Sequence, residues 1–130
     1  HLGLTPQFVN QFGGCKAQGR TDETAKRLID AAHRLDQIGC DIILLECVPN
    51  HVTRAIMEVT SVPVIGIGAG PECTGQVLVM HDLLGITPGK PARFVRNFMQ
   101  DANTIQEAFA SFDRAVKDGS FPALEHSFVD

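Results

Sequence analysis

The sequence predicts an α/β fold: half of a (β/α)₈ barrel followed by a helical extension, with the boundary at residue 90. Short apolar runs bounded by turn residues are typical of parallel strands buried on both faces. Segments with helical spacing of apolar residues lie between these runs, and the crossovers are long enough for right-handed βαβ units. We therefore predict that residues 1–90 form the half barrel. Residues 91–130 are predicted to be helices and a tail that pack on the barrel or on a neighbouring subunit.

The first predicted elements are the end of a strand in residues 1–4 and a helix that begins after Thr21. Thr21 can serve as the N-cap, and Asp22 and Glu23 lie in the first turn, where the helix dipole favours acidic side chains. Apolar residues then recur at helical spacing. Gly39 is well suited to end this helix.

The next strand is predicted in residues 41–49, where four aliphatic residues lead into Glu46. Because side chains alternate along a strand, Glu46 shares a face with Ile42 and Leu44. Pro49 has no N–H to donate, so strand pairing should end within a residue or two of Glu46. Glu46 is therefore expected at the C-terminal end of a buried parallel strand, where α/β proteins place their active sites.

The placement of Glu46 predicts a general base. A partly desolvated carboxylate should have a raised pKa, which suits proton abstraction. The alternative is a structural Glu46 paired with a buried Arg or Lys. No G-x-S-x-G nucleophile motif is present, and Cys47 should point to the opposite face of the strand.

A second helix capped by Asn50 is predicted next, followed by a buried strand within residues 62–70 that runs into a glycine-rich loop. The loop, residues 66–70, reads G-I-G-A-G. Its backbone N–H groups could bind an anion, but the spacing does not match a dinucleotide-binding fingerprint. The alternative is a tight loop that lets a substrate or a neighbouring strand approach the backbone closely.

The apolar run in residues 77–80 is ambiguous between strand and helix, and we predict a strand that follows a short connection in residues 72–76. His81 and Asp82 would then lie at the C-terminal end of a strand. This polar pair is a candidate for chemistry, with a strand-end cap or a subunit contact as the alternative.

Two further stretches have helical spacing of apolar residues, residues 94–99 and residues 105–116, and Gly119 ends the second of them. The last residues are predicted to be an irregular tail that contains Phe121 and Phe128. An aromatic-rich tail of this kind needs a surface on which to pack.

The composition excludes several classes of protein. The chain has 130 residues, of which 44% are hydrophobic, and a net charge of −4, which is typical of one globular domain. Its eleven Lys and Arg residues are scattered, without the basic run of a nucleic-acid-binding protein. No apolar stretch approaches the roughly 20 residues that span a bilayer, and no signal peptide is found, so a cytoplasmic protein is predicted.

The cysteines and histidines show no metal-ligand spacing, so no metal site is predicted within this chain. The cysteines are expected to act as small apolar residues, and reduced thiols agree with a cytoplasmic protein. The residues considered are Cys15, Cys40, Cys47, Cys73, His1, His33, His51, His81 and His126.

Four parallel strands make only half of a barrel and leave two strand edges unpaired, which is a liability for an isolated chain. We therefore expect the first four strands to lie upstream, in a longer polypeptide.

Six motifs resemble those of one enzyme family, ketopantoate hydroxymethyltransferase. They lie in order along essentially the whole chain and place it as the C-terminal half of a family member. The motifs are H-L-G-L-T-P-Q at residues 1–7, F-G-G at 12–14, L-E-C-V-P at 45–49, P-V-I-G-I-G-A-G at 63–70, V-M-H-D at 79–82 and E-H-S-F at 125–128.

This resemblance implies a Mg²⁺-dependent barrel enzyme of the phosphoenolpyruvate/pyruvate superfamily, which forms homo-oligomers that are typically decamers. It implies transfer of a hydroxymethyl group from 5,10-methylenetetrahydrofolate to 3-methyl-2-oxobutanoate, giving 2-dehydropantoate for pantothenate biosynthesis. The metal would polarise the carbonyl of the oxo acid and so acidify its C3 proton. By resemblance, Glu46 is the base that removes this proton, and His1 lines the substrate site.

The family's metal-binding acids and its substrate-binding lysine match no residue of this chain, so they are expected in the upstream half. We therefore expect this chain alone to be inactive. Two rival functions remain open: carbon–carbon lyase or mutase action on an oxo acid within the same superfamily, and a non-catalytic half barrel that acts as an assembly module. Exchange of the C3 proton would distinguish the transferase from the lyase, and dependence on Glu46 would distinguish either enzyme from the assembly module.

Overall fold

A computed structural model describes residues 1–8, 10–11 and 16–129. They form a four-stranded parallel sheet with the strand order β1-β2-β3-β4. The strands are β1 Leu2–Gly3, β2 Ile43–Glu46, β3 Val64–Ile67 and β4 Gly75–Gln76. The α-helices are α1 Asp22–Gln37, α2 Asn50–Val59, α3 Met80–Leu83 and α4 Ile105–Lys117, with 3₁₀ turns at Pro6–Phe8 and Leu124–His126.

The first helix begins and ends as the sequence predicts. Thr21 is the N-cap of α1 and forms a capping box with Thr24, in which each side chain accepts a hydrogen bond from the other residue's N–H. Gly39 follows the helix with a φ of +82°, a left-handed conformation that glycine adopts without steric strain.

The sheet buries one face against α1 and α2. Ile43 and Leu45 of β2 are fully buried and pack with Val52 and Ile56 of α2. On the opposite face of β2, Leu44 and Glu46 are only partly buried. The expectation that this strand is buried on both faces is therefore wrong for this chain. Four strands do not close a barrel, so the described residues provide no opposite wall for the second face.

The fourth strand lies two residues earlier than predicted, at Gly75–Gln76 rather than in residues 77–80. The connection between β3 and β4 contains no helix, and Met80 already begins α3. Consequently His81 and Asp82 lie on a short helix and not at a strand end. The physical reason is tertiary packing, because Leu78 of this run packs into a second hydrophobic cluster instead of extending the sheet.

The second hydrophobic cluster joins the region around α3 to α4 and the tail. The rings of Phe98, Phe112 and Phe121 meet edge to face, with centroids 5.4 to 5.8 Å apart. Phe112 is partly buried, and the buried members besides Phe98 and Phe121 are Leu78, Leu83, Ala108 and Ala115. This cluster draws residues from both sides of position 90. The proposed domain boundary and the packing of the extension on another subunit stay predictions.

Of the two helices predicted in the extension, only the second forms. Helix α4 begins after the N-cap Thr104, and Gly119 follows its end with a φ of +78°. The helix predicted in residues 94–99 is wrong. Its backbone is used in other contacts, because the N–H of Phe98 donates to the Leu83 carbonyl and the N–H of Met99 donates to the Asn97 side chain.

The tail returns to the sheet and contacts the start of α2. The N–H of Asn50 donates to the Phe128 carbonyl at 3.0 Å, and Ser127 is fully buried. Pro49 is the N-cap of α2 and Asn50 is its first helical residue, so the prediction of Asn50 as the cap is wrong by one position. None of the helices in the described ranges is long and apolar enough to cross a membrane.

The turn between α2 and β3 is held by Asp36, near the end of α1. Its Oδ1 atom accepts hydrogen bonds from the N–H and hydroxyl of Ser61, at 2.8 and 2.9 Å, and from the N–H of Val62 at 3.1 Å. These hydrogen bonds, the Ser61 N–H foremost, hold the pKa of the Asp36 carboxyl below its ordinary value because they favour the ionised form.

We expect the substitution Asp36→Ala to lower the Tm at neutral pH, because Ser61 and Val62 lose their acceptor. A carboxyl whose pKa is lowered by folding stabilises the protein above its unfolded pKa, and this contribution disappears as the pH falls through the folded pKa. The Tm difference from the wild type should therefore shrink below pH 3.8. Thermal melts followed by circular dichroism, with Asp30→Ala on the exposed part of α1 as the control, measure both effects; equal Tm shifts in the two variants would contradict this role.

Candidate active site

Glu46 is the last residue of β2 and lies between the ends of two neighbouring strands. It pairs with Gly3 of β1 on one side and with Ile67 of β3 on the other. The C-terminal ends of these three parallel strands are therefore level, and the pairing ends where Pro49 was predicted to stop it. This is the placement that the sequence predicts for Glu46.

The side chain of His1 meets the carboxylate of Glu46. The two side chains are 29% and 17% exposed, and His1 Nε2 lies 3.1 Å from Glu46 Oε2. Burial raises the pKa of the Glu46 carboxyl above its ordinary value, because the charged form loses water. The predicted pKa direction is confirmed, and the partner is a histidine rather than the buried Arg or Lys of the alternative interpretation. The roles of His1 and Glu46 in substrate binding and catalysis stay predictions.

Gly3 allows β1 to approach β2 closely at this point. Its φ is +87°, and a Cβ atom here would overlap the Glu46 carbonyl oxygen and lie 2.7 Å from Val48 Cγ2. The close approach lets the N–H of Leu4 donate to the same carbonyl at 2.8 Å. Gly3 therefore fixes the backbone of Glu46 and the strand that carries His1. Sequence reasoning did not single out this glycine, although a glycine within a strand is a known signal of close backbone approach.

The residue after Glu46 has an unusual backbone that the sequence did not reveal. Cys47 has a φ of +51°, and among the described residues no other non-glycine residue has a positive φ. A left-handed conformation costs a residue with a Cβ atom about 1–2 kcal/mol. The side chain is 5% exposed, so it is buried in this conformation. No local sequence signal distinguishes Cys47 from an ordinary strand-end residue.

The glycine-rich loop after β3 is packed against the protein's own side chains. Gly68 and Gly70 have positive φ, and added Cβ atoms would meet the Phe94 ring and the Asn50 side chain, respectively. These contacts favour the tight-loop alternative over the anion site at these two positions. The Oδ1 atom of Asn50 is buried, with no hydrogen-bond partner among the described residues.

The structure places the polar pair His81 and Asp82 on α3. Asp82 accepts a hydrogen bond from the Thr87 hydroxyl at 2.6 Å and lines a cavity of about 580 Å³ that also contains Arg96 and His126. Glu46 is not among the residues that line this cavity.

Two of the other histidines make local contacts. His33 Nδ1 lies 3.2 Å from the Val59 carbonyl, and His126 Nδ1 accepts the N–H of Ala123. Within the part of the chain that the structure describes, no group of three or more His, Cys, Asp or Glu side chains could hold a metal ion. Cys15 and the F-G-G motif at residues 12–14 lie outside the described residues.

Comparison with known proteins decides the family. A family model described as ketopantoate hydroxymethyltransferase matches residues 1–124. The chain belongs to this family. The resemblance drawn from the six motifs is thereby confirmed, and the parallel sheet with its helices is part of the (β/α)₈ barrel of the phosphoenolpyruvate/pyruvate superfamily.

Curated relatives of the ketopantoate hydroxymethyltransferase family agree with this assignment. Proteins named 3-methyl-2-oxobutanoate hydroxymethyltransferase from Alcanivorax borkumensis and Chromohalobacter salexigens are 59% and 56% identical to this chain over 128 residues. A relative of the same name from Janthinobacterium sp. is 54% identical over 128 residues. The alignments cover 98% of this chain and 49%, 49% and 47% of the three relatives, so the chain spans about half of their length.

We expect Gly3→Ala to destabilise the protein more than Gly39→Ala does. Both glycines have positive φ, but a Cβ atom at residue 39 meets no other atom within 4 Å, whereas one at residue 3 collides with the backbone of β2. Gly39→Ala should therefore show only the cost of the left-handed conformation, and Gly3→Ala should add about 2 kcal/mol of overpacking. Urea unfolding of the two variants gives the comparison; equal losses of stability would show that β1 does not need this close approach.

Proposed function

We propose that the polypeptide containing this chain transfers a hydroxymethyl group from 5,10-methylenetetrahydrofolate to 3-methyl-2-oxobutanoate, giving 2-dehydropantoate. The relatives are named for this oxo acid, 3-methyl-2-oxobutanoate. The observation that carries the proposal is a partly buried carboxylate, Glu46, at the C-terminal end of a parallel barrel strand, with its pKa raised by burial. Such a group is suited to remove a weakly acidic proton.

In the proposed reaction, the Glu46 carboxylate removes the proton from C3 of the oxo acid. The electron pair of the broken C–H bond moves toward the carbonyl oxygen and gives an enolate. Water hydrolyses the two C–N bonds that hold the one-carbon unit of 5,10-methylenetetrahydrofolate, which releases tetrahydrofolate and formaldehyde. C3 of the enolate then adds to the formaldehyde carbon as the C=O π bond opens, and the formaldehyde oxygen takes up a proton to become the hydroxyl group. We assign His1, whose Nε2 atom is 3.1 Å from the carboxylate, the role of orienting Glu46, and the family resemblance supports its role in lining the substrate site.

Magnesium dependence belongs to the proposal through the family resemblance. The described residues of this chain contain no group of acids or histidines that fits a metal ion, so we assign no step to the metal. Its ligands are expected in the upstream half of the polypeptide. On this basis the chain alone is proposed to be inactive and the full polypeptide to be active. A homo-oligomeric enzyme of the cytoplasm is likewise proposed from the resemblance.

The substitution Glu46→Gln in the full-length protein should remove the base. The amide cannot accept the C3 proton, so exchange of this proton for deuterium should fall by about 10²- to 10⁴-fold. Proton NMR of 3-methyl-2-oxobutanoate in D₂O, with Mg²⁺ present, measures the exchange.

The matched control is Glu58→Gln, at an exposed glutamate on α2, which should exchange at the wild-type rate. Wild-type exchange in Glu46→Gln would reject Glu46 as the base. If the wild-type protein cleaves a 2-hydroxy diacid and does not exchange the C3 proton, the lyase is favoured. If it assembles normally but turns over neither substrate, the non-catalytic assembly module is favoured.

His1 should tune the pH dependence of the same reaction. The base acts in its ionised form, so the wild-type exchange rate should rise with pH through a pKa above the ordinary value of 4.5. The His1 side chain can donate a hydrogen bond that favours ionised Glu46, so His1→Phe should move this limb of the pH–rate profile to still higher pH. An unchanged limb in His1→Phe would show that the contact with Glu46 does not influence the base; His51→Phe, on α2, is the control.

A further inference from the structure

We infer that Cys47 is a positioning residue for Glu46, and that it acts through its left-handed backbone. This inference rests on the proposed function, because it concerns how the proposed base is held. The structure supplies two observations for it: the positive φ of Cys47 directly after the base, and the hydrogen bonds that this conformation makes possible.

The left-handed conformation turns the peptide that joins Cys47 to Val48. In an extended strand, successive N–H groups point to opposite neighbours. Here the N–H groups of Cys47 and Val48 both donate to the end of β3, at 2.9 Å to the Ile67 carbonyl and 3.0 Å to the Gly68 carbonyl. The Cys47 carbonyl is correspondingly turned away and accepts the N–H of Gln18 at 2.8 Å. The end of β2 is therefore fixed to β3 by two bonds.

These bonds hold Glu46 from both sides. Its own carbonyl accepts the N–H of Leu4, beyond β1, and the next N–H, that of Cys47, is bound to β3. If residue 47 had an extended conformation, the peptide that joins Cys47 to Val48 would face the opposite way. The hydrogen bonds donated by the N–H groups of Val48 and Gln18 would then be lost. The end of β2 would then no longer hold the Glu46 carboxylate 3.1 Å from His1. Cys47 and Val48 are buried, at 5% and 0% exposure, so a turn of this peptide would also disturb the packing of the core.

The test uses the full-length protein with substitutions that separate backbone from thiol. Cys47→Val places a β-branched side chain where the left-handed conformation is least tolerated. Cys47→Gly allows that conformation without strain, and Cys47→Ala removes only the thiol. Cys40→Val is the matched control, because Cys40 has no positive φ and packs beside the same hydrophobic core.

For Cys47→Val we expect kcat for C3-proton exchange to fall about 100-fold, with KM within about threefold, since a small misplacement of a base has this effect. In Cys47→Val, the pKa that sets the pH–rate limb should move toward the ordinary pKa of glutamate, because the carboxylate moves toward water. The Cys47→Gly, Cys47→Ala and Cys40→Val variants should retain kcat within about threefold.

A lowered Tm of Cys47→Val with an unchanged kcat and pH–rate limb would show a merely structural role and overturn the inference. A loss in Cys47→Ala as large as that in Cys47→Val would assign the effect to the thiol and would also overturn it. If Cys47→Val does not fold, Gln18→Pro tests the same point, because it deletes the N–H that the Cys47 carbonyl accepts. The same fall in kcat is expected for it, and a wild-type kcat would count against the inference.

A second readout keeps this test separate from the proposed function. Failure of the wild-type protein to exchange the C3 proton would reject the proposed function alone. A ¹³C NMR titration of the Glu46 carboxyl then tests the inference without turnover. The carboxyl pKa in Cys47→Val should move from the raised value toward the ordinary one, and an identical titration in both proteins would overturn the inference.

Discussion

The in-register parallel pairing of β1, β2 and β3 is the constraint on which the candidate site depends. Gly3, Glu46 and Ile67 are neighbours across the three strands, so the strand ends lie level. The absence of a side chain at Gly3 is what permits this register, because a Cβ atom there would occupy the position of the Glu46 carbonyl. His1 precedes β1 and lies two residues before the position opposite Glu46, on the same face of the sheet, so its side chain can reach the carboxylate diagonally. The register of the strands therefore also sets the geometry of the candidate site.

Burial and the contact with His1 both act on Glu46. Loss of water disfavours the charged carboxylate and raises the pKa of Glu46. His1 Nε2 lies 3.1 Å from the carboxylate, where an N–H donor would favour the charged form. A glutamate with a raised pKa is a stronger base than an exposed one, and Glu46 also keeps a polar contact with His1. This combination suits proton abstraction from a weakly acidic carbon better than full exposure or a full ion pair would.

Local sequence signals predicted most of the sheet, α1, α4 and the place of Glu46, because capping residues, apolar runs and strand-ending prolines act within a few positions. The errors fall where distant partners decide the conformation. Residues 77–80 join the aromatic cluster instead of a strand, and the backbone of residues 94–99 bonds to other parts of the chain instead of forming a helix. The left-handed φ of Cys47 and the contact between His1 and Glu46 have the same origin. Both arise from strand pairing between residues far apart in sequence, which leaves no local pattern.

The bond from the Asn50 N–H to the Phe128 carbonyl has a consequence for the order of folding. A helix begins with N–H groups that have no partner inside the helix, and here one of them is satisfied from the far end of the chain. During synthesis, α2 leaves the ribosome well before Phe128 does, so its first turn must wait for that partner. Closing such a long loop also carries an entropic penalty that local contacts avoid. The start of the helix that follows the Glu46 strand is therefore completed only after Phe128 has been made.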